Sequence, residues 1–178
     1  SFSQPILLFL LIPVSLVGVA WGHWIHNFSV SIISLLGVIA LVGIMVNDGL
    51  VFIGKFNINI KDGYKFKESL ILAGRSRFRA IFLTSATTVA GLTPLLLEKS
   101  RQAQWLKPMA ITVSYGIAFA TILTLILLPI FISLNNQAKV IFKWLVSGYF
   151  PTQESVERAM IEKEEEEKMA VTEKSKNT

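Results

Sequence analysis

Residues 1–47 contain no Asp, Glu, Lys or Arg, and this run constrains the chain more than any other feature of its sequence. A soluble domain carries roughly 25% charged residues, spread along its helices and strands. This chain of 178 residues has 16%, concentrated in a few segments. A run of 47 residues without charge is solvated by lipid and not by water. The sequence therefore excludes an ordinary soluble domain and indicates a membrane protein.

Four apolar segments are each long enough to cross a hydrocarbon core about 30 Å thick, at about 1.5 Å per residue of helix. We predict transmembrane helices over residues 5–24, 30–53, 80–97 and 109–134. The predicted fold class is an all-α membrane protein. Residues 1–134 form its four-helix transmembrane segment, and residues 135–178 form a tail.

The charges of the connections predict the orientation. Seven Lys or Arg residues lie in the connection 55–79, and none lies in the connection 23–29. Because basic connections stay on the cytoplasmic side, we predict that residues 55–79 and both ends of the chain are cytoplasmic. The net charge of +5 follows this distribution across the membrane. It does not indicate a nucleic-acid partner.

The connection 55–79 and the tail have patterns of their own. Apolar and basic stripes in the connection predict a helix lying in the membrane interface. Residues 138–150 are amphipathic, Pro151 interrupts them, and residues 154–168 predict a charged helix with four consecutive acids at 164–167. We expect this helix to be solvated and dispensable, with no apolar face, and the last ten residues to be disordered.

Asp48 is the one charged side chain within the four predicted spans. An Asp at the centre of a membrane helix costs about 2.5–3.5 kcal/mol on insertion scales, so its side chain must face protein or water. We interpret it as a proton-carrying group, the alternative being a carboxyl that only joins helices or is hydrated near the interface. Asn47 precedes it, and Thr84 on the antiparallel third span lies at a similar depth. These three residues are the candidate proton relay.

The other polar residues predict structure more than chemistry. Thr87 and Thr88 are typical of packing within a membrane helix, and His23 and His26, beside tryptophans, are typical of interface anchors. The sequence contains no Cys, no phosphate-binding glycine loop and no nucleophile or zinc motif. We therefore expect no enzyme activity, no metal site and no cofactor.

Several motifs occur in the order and spacing of one family. They are SQP (3–5), IPVSLVG (12–18), WGHW (21–24), GIMVNDGLV (43–51), RFRAIFLTS (77–85) and AGLTPL (90–95). Over about residues 1–134 the chain resembles the carboxy-terminal part of resistance-nodulation-cell division (RND) permeases of the acriflavine-resistance type.

The resemblance implies that the four spans are helices nine to twelve of a twelve-helix pump. It implies a homotrimeric antiporter of the bacterial inner membrane, whose helices one to eight and periplasmic porter domain lie outside these residues. An inward flow of protons would power export of drugs or small molecules through an adaptor and an outer-membrane channel. In the family's relay, Asn47 stands where many members have Lys, Asp48 where they have Asn, and Thr84 where they have Thr.

The sequence thus predicts part of a proton-driven multidrug or small-molecule efflux transporter, with no substrate-binding residue in these 178 positions. The alternative is a non-transporting assembly or sensing subunit derived from a truncated RND half. An upstream sequence with large periplasmic segments and an acid-bearing fourth helix would distinguish the transporter.

Overall fold

The structure is a computed structural model that describes residues 3–148 and 151–176. Within those residues it contains five α-helices: α1 Ser3–His26, α2 Ile32–Lys61, α3 Phe66–Leu97, α4 Arg101–Ser147 and α5 Arg158–Lys176. In this part of the chain, α1 to α4 are long and apolar enough to cross a membrane. The predicted all-α fold class with four transmembrane helices is therefore confirmed.

The starts of α2 and α4 and the end of α4 have local sequence causes. Ser31 precedes α2, and its hydroxyl accepts a hydrogen bond from the backbone N–H of Ser34 (3.4 Å) while the Ser34 hydroxyl accepts one from Ser31 N–H (3.2 Å). Ser100 caps α4 in the same way by accepting a bond from Ala103 N–H at 3.3 Å. α4 ends at Ser147, and Gly148, which follows it, has a φ of 65° in the left-handed region that favours glycine.

The helices continue beyond the apolar segments that define the predicted spans. α2 runs on to Lys61 and α3 already begins at Phe66. The interfacial helix expected in the connection 55–79 is helical, but it is not a separate element. It consists of the end of α2 and the start of α3, because residues 67–79 are mostly good helix formers and contain no proline.

The tail also differs from the expected boundaries. α4 continues through most of the amphipathic segment 138–150, and α5 begins at Arg158 after turns over residues 153–156. α5 runs past Lys168 to Lys176, into the last ten residues that we expected to be disordered. Lys, Glu, Ala and Met are strong helix formers, and this favours the longer helix. Residues 177–178 lie outside the described residues.

α4 is the central helix of the bundle and packs against α1, α2 and α3. Leu11 of α1 and Leu41 and Phe52 of α2 are fully buried in the shared core. The outer surface remains apolar, with Phe9 and Ile39 exposed by 63% and 69%. Such a surface suits lipid or further membrane helices rather than water.

Charged residues lie at both ends of the bundle. We call the end that carries residues 55–67 and 135–147 the basic end. At the opposite end, Glu98 follows α3, and the backbone N–H groups of Ser100 (3.0 Å) and Lys99 (2.8 Å) donate to its carboxylate. These bonds hold the pKa of the Glu98 carboxyl below its usual range, because they favour the charged form.

Candidate functional site

Asp48 lies on the side of α2 that faces α4. The buried stripe of α2 includes Leu41, Met45 and Gly49, and Asp48 follows Met45 by three residues, so it lies beside that stripe. The side chain is half-buried. Within the described residues, no hydrogen bond or ion pair reaches its carboxylate.

A small cavity lies between Asp48 and α4. Its volume is about 10 Å³, and its lining includes Ile117, Thr121 and Thr124 of α4. This is roughly the least volume that holds one water molecule, and a water there needs polar partners. The carboxylate and the two hydroxyls are such partners. The arrangement can therefore hold a water between an ionisable group and hydroxyls inside an apolar bundle.

A buried hydrogen bond connects the same place to α3. The hydroxyls of Ser85 on α3 and Thr121 on α4 bond to each other, with exposures of 5% and 8%. Thr124, one turn further along α4, is 2% exposed. We call Asp48, Ser85, Thr121 and Thr124 the intramembrane polar cluster. Its members come from α2, α3 and α4, with Asp48 and the two threonines at the cavity and Ser85 bonded to Thr121.

The other two predicted relay residues lie on the outside of this bundle. Asn47 is exposed on α2, and Thr84 is exposed on α3 with its hydroxyl donating to the carbonyl of Ala80 at 2.8 Å. Among the described residues, no hydrogen bond joins Asn47 or Thr84 to Asp48. The structure therefore brings Asp48 to Thr121 and Thr124 of α4, and it leaves Asn47 and Thr84 on the outer surface of α2 and α3.

The rotation of α3 explains this separation. Thr84 and Ser85 are consecutive residues, so their side chains point about 100° apart around the helix axis. Ser85 is buried against α4, and Thr84 is exposed. Asn47 likewise precedes Asp48 by one residue and lies on the exposed side of α2.

Sequence reasoning missed Ser85, Thr121 and Thr124. Thr121 and Thr124 are three residues apart in an apolar helix and so share one face. That spacing was a usable signal. Ser85 differs from Thr84 by one position, and only the rotation of α3 decides which of the two faces α4.

The remaining threonines of α3 bond to their own helix. Thr87 donates to the carbonyl of Leu83 (2.9 Å), and Thr88 donates to the carbonyl of Thr84 (2.8 Å). Such bonds to the preceding turn are the ones expected of threonines in a membrane helix, and Thr84 makes the same kind of bond.

The two histidines hold helices together at the end opposite the basic end. His23 is buried, and its ring nitrogens contact the carbonyl of Val19 (3.0 Å) and the hydroxyl of Ser34 (2.8 Å). His26 contacts the hydroxyl of Tyr115 on α4 at 3.0 Å. The expectation that His23 anchors the interface was wrong, because the turn between α1 and α2 folds its ring into the bundle. Among the described side chains, no three His, Cys, Asp or Glu residues lie together as a metal site.

Known proteins resemble the chain over its membrane helices. The model of the AcrB/AcrD/AcrF family matches residues 1–135. The swarming motility protein SwrC of Bacillus subtilis is 29% identical over 127 residues, which cover 71% of this chain and 12% of that protein.

Two further relatives are named for resistance to different compounds, metal ions in one case and drugs in the other. The cobalt-zinc-cadmium resistance protein CzcA of Cupriavidus metallidurans is 30% identical over 137 residues, covering 77% of this chain and 13% of that protein. The multidrug resistance protein MdtC of Erwinia amylovora is 26% identical over 131 residues, covering 73% and 13%. The chain spans about an eighth of the length of these relatives.

Proposed function

This chain belongs to the AcrB/AcrD/AcrF family of RND permeases, and from that premise we propose that it forms the last four membrane helices of a proton-driven efflux transporter. The observation that carries the proposal is the place of Asp48. It is the one charged residue of the apolar spans, and it lies beside buried hydroxyls at a cavity of about the size of a water molecule.

The polar cluster is the part of the proton path within this chain. Asp48 takes up and releases the proton, and a water held by Thr121 and Thr124 passes it along the cavity. Asn47 and Thr84 contribute from the outer faces of α2 and α3, where their exposure fits contact with a further helix of the permease. That helix supplies the remaining acids of the relay.

The energy for export comes from protons moving down their gradient. Each proton that crosses contributes about 2.3 kcal/mol per 100 mV of membrane potential, in addition to the pH difference. The chain itself acts as a transporter part and not as an enzyme. The family relatives are named for drug, metal-ion and motility phenotypes, and export of a small molecule or ion is the activity we propose.

The working assembly is larger than this chain. We propose that α1 to α4 pack against the other helices of the same permease, that three permeases form a homotrimer in the bacterial inner membrane, and that a periplasmic adaptor and an outer-membrane channel complete the route. The apolar outer surface of the bundle supports contact with other helices and with lipid.

Reconstitution tests the energy source. We expect the full-length permease in proteoliposomes to transport ethidium or Co²⁺ only when a pH gradient is imposed, with a matching proton flux reported by a pH-sensitive dye. An ionophore that collapses the gradient should stop transport. Transport that persists with the ionophore, or that requires ATP instead of the gradient, would refute proton drive.

Cysteine labelling tests the orientation. We expect a Cys at Lys65, beside the basic end, to be protected from an impermeant thiol reagent added to intact cells, and a Cys at Asn27 to be labelled. The reason is the charge difference between the two connections. The 178 residues contain no native Cys, so the background from this region is low. The reverse pattern of labelling would place the basic end outside the cytoplasm.

A further inference from the structure

The tail does not extend freely from the bundle but folds back onto its basic end. Ala159 of α5 is 4% exposed and belongs to the same buried cluster as Phe56 and Phe66, and Met160 packs against that cluster. The expectation that the tail presents no apolar face was therefore wrong. The apolar residues that make this contact are few and lie between acidic and basic residues in the sequence.

Glu154 of the tail caps α3. The N-cap residue of α3, Lys65, makes no side-chain cap bond of its own. Instead, the carboxylate of Glu154 accepts a hydrogen bond from the backbone N–H of Phe66 at 2.8 Å. A carboxylate at this position satisfies a free N–H group and interacts favourably with the positive end of the helix dipole.

Lys163 of the tail caps α2. Its ammonium group donates to the carbonyl of Lys61, the last residue of α2, at 2.7 Å, where a cation is favoured by the helix dipole. The side chain of Lys61 in turn pairs with Glu162 (3.7 Å) and Glu166 (3.3 Å). One segment of tail therefore caps both helix ends that flank the short connection 62–65.

Glu157 fixes the tail to α4. It is 1% exposed, and its carboxylate accepts a bond from the side-chain amide of Asn136 (2.8 Å) and pairs with Lys139 at 3.3 Å. The same amide of Asn136 donates to the carbonyl of Gln153 at 2.7 Å. A buried carboxylate is stable only with partners of this kind, so Glu157 holds the tail in one position against α4.

We propose that residues 151–166 form a strap that holds the basic ends of α2, α3 and α4 in one alignment and thereby positions Asp48 against Thr121 and Thr124. The three helices that the strap joins are the three that build the intramembrane polar cluster. Sliding α2 past α3 by one turn, about 5.4 Å, would break the caps at Lys61 and Phe66 together. The effect on transport rests on the proposed function, whereas docking of the strap does not.

Distance measurements test docking directly. Spin labels at Tyr64 in the connection and at Glu165 on the exposed face of α5, in full-length permease without other cysteines and diluted with unlabelled protein, should give one narrow distance distribution. The double variant Glu154→Ala, Glu157→Ala should broaden it, because losing an N-cap alone shifts an equilibrium by roughly 2- to 30-fold. Glu164→Ala, at an exposed position of the same helix, is the matched control and should leave it narrow. A broad distribution in the wild-type protein would overturn the strap.

Transport measurements test positioning. We expect the undocked double variant to lose efflux several-fold at equal membrane levels. Lys163→Met should lose part of it, and Lys163→Arg should restore it, since arginine still donates to the Lys61 carbonyl. Glu154→Gln should keep the efflux that Glu154→Ala loses, because the amide oxygen still accepts from Phe66 N–H. Unchanged efflux after proven undocking would overturn the positioning role while leaving proton-driven transport intact. The positioning role would also be overturned if Lys163→Arg lost as much efflux as Lys163→Met.

Discussion

Asp48→Asn should reduce efflux by the full-length permease to the level of cells that lack the pump, while the protein still inserts and assembles. The substitution keeps the shape of the side chain and removes its titration. Since Asp48 is the one charge in the apolar spans and lies at the hydroxyl-lined cavity, no other group of this chain at that depth can replace it as a proton carrier. Drug or metal-ion resistance and efflux rates, at matched membrane levels, give the measurement.

Three neighbouring variants show whether the loss is specific. Thr121→Val, which removes the hydroxyl facing both the cavity and Ser85, should impair efflux less than Asp48→Asn because water can substitute for a lost hydroxyl. Thr84→Ala should also impair efflux less than Asp48→Asn, because the exposed Thr84 can act only through contact with a further helix of the permease. Thr87→Ala is the control, since that hydroxyl bonds its own helix. Normal efflux by Asp48→Asn would show that the carboxyl is structural and that the relay lies on the other helices.

Gly18→Ala should destabilise the permease by about 1–3 kcal/mol, the usual cost of overpacking a core. An added Cβ at this position would lie within 2.9 Å of the Tyr115 carbonyl oxygen and closer still to the side chain of Phe119. Because the oxygen belongs to the backbone of α4, the two helices must move apart. Gly18→Leu should be worse and should lower the yield of folded protein.

A glycine with room for a Cβ provides the control for this variant. At Gly74, the nearest atom to an added Cβ is in the ring of Phe52 at 3.9 Å, which is an ordinary contact distance, so Gly74→Ala should change stability less than Gly18→Ala. The thermal stability of the detergent-solubilised permease, followed by size-exclusion chromatography after heating, compares the two. Equal losses would show that the close approach of α1 to α4 does not limit stability.

The sequence predicted the number and order of the membrane helices but not their ends. Hydropathy reports where lipid contact stops, and a helix continues past that point wherever good helix formers follow. For this reason α2 was placed at 30–53 and runs over Ile32–Lys61, and α4 was placed at 109–134 and runs over Arg101–Ser147. The serine caps at Ser31 and Ser100 were in the sequence and would have placed two of these boundaries.

The sequence predicted the charged residue of the candidate site but not the residues that surround it. The cost of burying Asp48 follows from its position in an apolar segment, and no tertiary information is needed to see it. Its partners depend on the rotation and register of α3 and α4, which a change of one residue alters by about 100°. A sequence pattern therefore could not decide between Thr84 and Ser85.

The tail was misjudged for a related reason. Runs of Glu and Lys usually form a solvated face, and the pattern of residues 154–168 gives no sign that Glu157 is buried. The partners that make its burial favourable, Asn136 and Lys139, are supplied by α4. A contact between distant segments that relies on complementary charges leaves no periodicity in either of them.

α4 contains a proline at which a bend would cost least. Its 47 residues are one continuous helix, about 70 Å long, and Pro129 lies between Thr121 and Lys139. Proline removes one hydrogen bond of the helix, so bending costs least there. A bend of about 10° at that point displaces Lys139, about 15 Å further on, by roughly 3 Å. That is close to the whole length of the Lys139–Glu157 contact of 3.3 Å, so a bend of that size at Pro129 would be enough to break or restore this ion pair.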